Sequence, residues 1–170
     1  MSAKHYVHPL HGICHVVGTQ ERQVGDRVQT YVELRVDASP SGRAALSVLL
    51  PEDEILEHVR TVAEPDEAQA ALDALSDSKP SRIAKASSWR SRVARTDSTA
   101  DSGNLVEMAR VYRDLEYRDR DRGLSSTERR SADRVHDLIV GELVGAMDWT
   151  VDDAVQAVAE RLDGVALEAA

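Results

Sequence analysis

Up to about Pro51 apolar and polar positions alternate along the chain. Residues 15–21, 28–36 and 44–50 form short runs that carry Val16, Val17, Val28, Tyr31, Val32, Val36 and Val48. Runs of this kind, rich in β-branched and aromatic residues, predict strands with one buried face. Gly25-Asp26 separates the first two runs and predicts a hairpin turn. The stretch ASPSG, residues 38–42, predicts a second turn or loop. A lone hairpin is marginal in water. Three or more strands in so short a segment therefore predict a small twisted sheet or an SH3-like or Tudor-like barrel.

After Pro51 the period changes. PEDEILEHV fits either a turn of helix or a strand edge. Glu64-Pro65-Asp66 leads into EAQAALDAL, a short helix with Ala68, Ala71, Leu72 and Leu75 on one face. SDSKPS, around Pro80, predicts a connection, and a helix is expected over about 81–95, broken by DSTADSG at 97–103. A clear helix follows over about 104–122, with Leu105, Met108, Ala109, Tyr112 and Leu115 at three- and four-residue spacing and Gly123 beyond its end. Ser125-Ser126-Thr127-Glu128 has the form of a capping box. It opens a long helix with Ala132, Val135, Leu138, Ile139, Glu142 and Leu143 along one side. Thr150-Val151-Asp152-Asp153 starts a last helix carrying Ala154, Val155, Val158 and Leu162. The expected class is α+β: a small N-terminal barrel over 1–62, an all-α bundle over 63–165 and a tail at 166–170.

The chain has 170 residues, 42% of them hydrophobic, and a formal net charge of -9. There is no phenylalanine, so the core must rest on Leu, Val, Ala and Ile. Cys14 is the only cysteine, which excludes an intrachain disulfide and fits a reducing compartment. MSAKHYVHP lacks an apolar signal core, and no apolar run approaches the roughly 20 residues that span a bilayer. The expectation is a cytoplasmic protein. Its charge is uneven: residues 82–134 hold 13 Lys and Arg against 9 Asp and Glu, while the remainder holds 8 against 21. Overall acidity argues against non-specific coating of nucleic acid. A locally basic segment still permits a phosphate contact within a screening length of about 8–10 Å.

Candidate chemistry is sparse. His5, His8, His11 and His15 lie close in sequence but match no familiar zinc spacing. No GxSxG elbow and no glycine-rich phosphate loop occurs. The expectation is a protein without catalysis, metal or cofactor. YRDRDR, residues 117–122, reads as a solvated helix end with intrahelical pairs. Arg129-Arg130 falls in the first turn of a helix, where the backbone is already positive, and so hints at an anionic partner. The segment SSWRSRVAR, residues 87–95, sets Trp89 beside Arg90, with Arg92 and Arg95 following. Helical phase leaves two readings open for Trp89: a core side chain, or a ring that meets bases while arginines hold phosphates. Trp149, in MDWTVD, reads as packing at a helix connection.

The pieces YVHPLHGICHV, TYVELRV, SVLLPED, SSWRSR, VYRDLEYRDRDRGLSSTERR and LIVGELVGAM, in that order, resemble the CarD family of RNA polymerase-binding transcription regulators. The resemblance runs from about Tyr6 to Asp148. It implies a Tudor-like domain that binds the lobe of the polymerase β subunit, partly by pairing strand edges. It also implies a helical domain that touches promoter DNA at the upstream edge of the transcription bubble. Trp89 would wedge into the minor groove there and slow bubble collapse, with little sequence specificity. Arg90, Arg92 and Arg129 match family positions near DNA, and Arg22, Val48, Leu49 and Leu50 match the polymerase-facing side; Arg95, from the arginine cluster, and Arg130, from the first helical turn, are expected at DNA with them. The chain departs from the family at AKH before the first strand, at Leu49 and Ala94, where basic residues are common, and in a longer loop at 38–43. The alternative that these departures imply is a diverged polymerase-binding adaptor or competitor without effective DNA contact. A monomer, associated with the nucleoid through polymerase, is expected.

Overall fold

The computed structural model describes residues 5–8 and 11–163; the expected tail at 166–170 lies outside them. The chain divides into two compact units, Met1–Val62 and Ala63–Ala170. The class is α+β: a Tudor-like antiparallel sheet comes first and an all-α unit second.

The first unit is a five-stranded sheet in the order β4-β3-β2-β1-β5. Its strands are β1 (His5–His8), β2 (Gly12–Val24), β3 (Arg27–Val36), β4 (Leu46–Pro51) and β5 (Arg60–Thr61). β2 and β3 form a hairpin closed by the pair Val24–Arg27. Its turn is the expected Gly25-Asp26, with Gly25 at φ 63°. A positive φ at the first turn residue matches the right-handed twist of the flanking strands and needs glycine. The register of β2 against β3 slips between Val16 and Gly18. There the bulge leaves Val17 exposed. Tyr6, Cys14, Val32, Leu34, Val36, Leu50 and Val59 form the core, with Val16, Leu46, Val48 and Ile55 packed on it. The ambiguous PEDEILEHV resolves into a 3-10 turn, Glu52–Glu54, and one turn of helix, α1 (Ile55–His58).

The second unit contains α2 (Pro65–Ala74), α3 (Trp89–Ser102), α4 (Leu105–Arg122), α5 (Ser126–Met147) and α6 (Val151–Asp163). α2 buries the expected Ala68, Ala71 and Leu72, with Leu75 just past its end. Arg113 of α4 is buried where it receives the chain leaving α2, donating to the carbonyls of Ala74, Asp77 and Lys79 and to the Asp77 carboxylate. α5 opens on the expected capping box: the Ser125 hydroxyl accepts from the Glu128 N–H, and Glu128 accepts from the Ser125 N–H. Thr150 and Asp153 do the same for α6. No helix among the described residues is long and apolar enough to cross a membrane.

One helix departs from the sequence expectation. Residues 81–86 form turns, and α3 begins at Trp89 and continues through DSTADS to Ser102. The expected helix over 81–95 is therefore shifted by about eight residues. α3 ends where Gly103 takes a left-handed conformation at φ 68°, which glycine adopts without steric cost.

Candidate functional site

The site is built at the start of α3. The Ser88 hydroxyl accepts from the Ser91 N–H at 3.2 Å and caps the helix. Trp89 is thereby fixed as the first helical residue, and it remains 42% exposed. The Arg90 guanidinium lies 4.8 Å from the centre of its ring, a cation–π arrangement that holds both side chains at the surface. The connection before α3 is anchored by Ile83, buried against Val111, Leu115 and Ala132. Arg95 donates to the Arg82 carbonyl at 2.8 Å and ties that connection to α3. Of the two readings open for Trp89, its exposure sets aside the core one.

Arg92 corrects an expectation. Its side chain is 10% exposed, and its Nε donates to Glu128 Oε1 at 2.6 Å. An arginine held in this way does not face a phosphate. Glu128 is itself 4% exposed. Its other oxygen accepts from the Ser125 N–H at 3.0 Å and the Ser125 hydroxyl at 2.8 Å. Arg118 stands 3.8 Å away. Burial works against ionisation of Glu128. The hydrogen bonds from Ser125 and from Arg92 outweigh it and hold the carboxyl below its usual range.

Further along the same two helices, Arg134 of α5 binds Asp101 of α3 at 2.6 Å and approaches Asp97 at 3.9 Å. Contacts from 92 to 128 and then from 97 and 101 to 134 rise together, so α3 and α5 run parallel. Their N-termini lie at the same end of the unit, joined by the Arg92–Glu128 pair. Each contributes unpaired N–H groups and about half a positive charge, and helix N-termini suit phosphate.

Arg129 and Arg130 sit in the first turns of α5, and both are exposed. Arg129 already has an anion within the chain: its Nη2 lies 2.5 Å from Asp119 Oδ2 of α4. The hint of an external partner taken from its place in the first turn is therefore met internally. The hydrogen bond from Arg129 holds the Asp119 carboxyl below its usual range. Arg130, like Arg82, Lys85, Arg90 and Arg95, makes no ion pair among the described residues. The YRDRDR run also differs from expectation. Arg120 reaches Asp163 of α6 at 3.2 Å and Asp119 reaches α5, so only Arg122–Asp121 is a local pair. The run joins helices.

In the sheet unit β4 is an edge strand, bonded to β3 alone. Val48 and Leu50 are opposite Leu34 and Val32 and point into the core. Leu50 is buried, so it can offer a partner only its backbone. Leu49 is opposite Glu33 on the outer face. Arg22 shares that face: it donates to Gln20 at 3.3 Å and leans over the Tyr31 ring at 5.8 Å. No group of three or more His, Cys, Asp or Glu among the described residues is arranged to hold a metal ion. Cys14 is buried, and burial pushes its thiol up to about 11.

Sequence reasoning recognised Glu128 only as a cap and did not single out Asp119 or Arg118. A carboxylate in a capping box and an aspartate in an alternating run carry no sign of their long-range partners.

Compared with known proteins, residues 70–159 match the family described as CarD, C-terminal domain. The chain is also 22% identical over 138 residues to "Putative transcription factor YdeB" of Bacillus subtilis (strain 168), covering 81% of this chain and 85% of that protein.

Proposed function

The chain belongs to the CarD family and is a transcription regulator; we propose that it binds the β subunit of RNA polymerase through the β4 edge and stabilises the promoter open complex by inserting Trp89 at the upstream edge of the bubble. The observation that carries this reading is the placement of Trp89. A large ring is held 42% exposed at the first residue of a helix whose N-terminus is aligned with a second. Arg90, over its ring, and Arg130, near the start of α5, make no ion pair among the described residues. That end of the unit suits a distorted duplex: N–H groups and guanidinium groups for phosphates, and a flat apolar surface for an unstacked base step.

The wedge needs no sequence readout. It stabilises open DNA only by the difference between its affinities for open and closed promoter, a few kcal/mol per unstacked step. Holding the chain on polymerase raises its local concentration at the promoter. The free edge of β4 supports the tethering role, since an edge strand presents unpaired N–H and C=O groups. Leu49 lies on that edge strand, and Arg22 is on the same face of the sheet two strands away, on β2. One observation favours the adaptor reading: Arg92 and Arg129 are already neutralised within the chain.

The test is promoter opening by cognate holoenzyme, followed with a fluorescent base inside the bubble. Wild type is expected to lengthen the open-complex lifetime. Trp89→Ala is expected to lose that effect while still binding polymerase. A wild-type chain that binds polymerase and leaves the lifetime unchanged would establish the adaptor reading instead.

A further inference from the structure

We propose that Asp119 is a built-in competitor for the phosphate at Arg129, and that it limits the affinity of the free chain for DNA. The inference rests on the nucleic-acid reading of the α3–α5 end. Glu128 and Arg129 are consecutive residues that pair with other helices, Glu128 with Arg92 of α3 and, at 3.8 Å, Arg118 of α4, and Arg129 with Asp119 of α4. The Arg92–Glu128 pair is 10% and 4% exposed and is reinforced by both donors of Ser125. Nothing outside the chain can exchange with it. The Arg129–Asp119 pair is 44% and 23% exposed. A phosphate can approach Arg129 from solvent, but only by displacing Asp119 or sharing its guanidinium.

Asp119 is held in place for this competition. Its Oδ1 accepts from the Leu124 N–H at 3.0 Å, so the turn between α4 and α5 fixes it beneath Arg129. Its carboxyl stays ionised well below neutral pH because Arg129 donates to it. The last turn of α4 thus places one negative charge beside the first turns of α5, where the backbone and Arg129 would otherwise favour an anion. The untethered chain keeps this pair and binds DNA without the Arg129 contact, because giving the pair up costs more than one contact returns. Binding at a promoter, where polymerase supplies a high local concentration, tolerates that loss. Asp119 thereby biases the chain towards DNA presented by polymerase.

The experiment is anisotropy of a labelled duplex with an unpaired bubble, titrated with full chain over a range of salt. Asp119→Asn keeps an oxygen for the Leu124 N–H and removes the charge. It is expected to bind tighter than wild type by up to about fivefold, the upper end of the range of an exposed ion pair. The slope of log affinity against log salt should steepen by about 0.9, one added phosphate contact on duplex DNA. Asp121→Asn removes the same charge two residues away and should give a smaller gain with no change in slope. In an Arg129→Ala background, Asp119→Asn should give no more than Asp121→Asn does. Unchanged or weaker binding by Asp119→Asn, or a gain that persists without Arg129, overturns the proposal. Trp89→Ala and Arg90→Ala run alongside. If they weaken binding while Asp119→Asn has no effect, the competitor fails and the interface stands. If they leave binding unchanged, or no variant binds at low salt, both fail.

Discussion

The division of labour between Arg92 and the exposed arginines is open to a direct test through Arg92→Ala. Arg92 and Glu128 meet at 2.6 Å with side chains 10% and 4% exposed. Removing one partner of a buried pair costs about 3–5 kcal/mol, because the other charge is left uncompensated. Glu128 would keep two hydrogen bonds from Ser125 and the more distant Arg118, so the lower end of about 3 kcal/mol applies. For a unit of about 100 residues this lowers Tm by roughly 12–24 °C. At a urea slope of about 2 kcal/mol/M it moves the midpoint by about 1.5 M. Tryptophan fluorescence reads the helical unit alone, since the two tryptophans, Trp89 and Trp149, both lie in it. The expected result is a large loss of stability. Bubble-DNA binding, measured well below the new midpoint, should weaken only as far as α3 loses its alignment with α5. If Arg92→Ala unfolds at the wild-type midpoint while the salt slope of DNA binding falls by about 0.9, Arg92 is a phosphate contact and the structural assignment is wrong.

Acid should weaken the same unit. Asp73, Asp77, Asp119, Glu128 and Asp153 are all held below their ordinary values of 3.8 for Asp and 4.5 for Glu, through hydrogen bonds from arginines, capping groups and backbone that prevail where burial opposes them. Where the folded pKa is lower, the unfolded chain binds more protons, so stability is fully present above the unfolded values and is lost as pH falls through the folded ones. Urea midpoints by fluorescence should be flat near neutrality and fall below about pH 4.5; a midpoint unchanged down to pH 3 would contradict the carboxylate network. Gly103→Ala should cost about 1 kcal/mol in the same assay, because a Cβ is disfavoured in the left-handed conformation that ends α3. A neutral substitution would show that the chain can leave α3 by another route.

The elements that were legible in the sequence carry their signal locally. β3 alternates through Val32, Leu34 and Val36, and one residue in two faces a single core. α5 declares its start by Ser125 and Glu128, three residues apart, and its face by Val135, Leu138, Ile139 and Leu143. α3 was misplaced because it buries Arg92, Thr96, Thr99 and Ala100, mostly polar residues that hydrophobic periodicity does not count. Ile83 is buried, but from a turn. DSTADSG resembled a break because of its small polar residues, yet the helix stops only at its glycine. The Arg92–Glu128 pair spans 36 residues of chain, and nothing at either end announces the other.

The same distinction bears on the charge of the basic segment. Counted along the chain, residues 82–134 look like a patch of excess arginine. In the fold, Arg92, Arg110, Arg113, Arg118, Arg120, Arg122, Arg129 and Arg134 each stand against a carboxylate. Most of the apparent excess therefore holds helices together and offers little field to a polyanion. Arg82, Lys85, Arg90, Arg95 and Arg130 are the cations of that segment left without an ion pair among the described residues, and all five lie in the connection before α3 or in the opening turns of α3 and α5. So few unpaired charges give weak and salt-sensitive attraction. Under the proposed function, affinity for the promoter then depends on the tether to polymerase. The choice between open and closed DNA depends on Trp89, whose contact with an unstacked step salt does not screen.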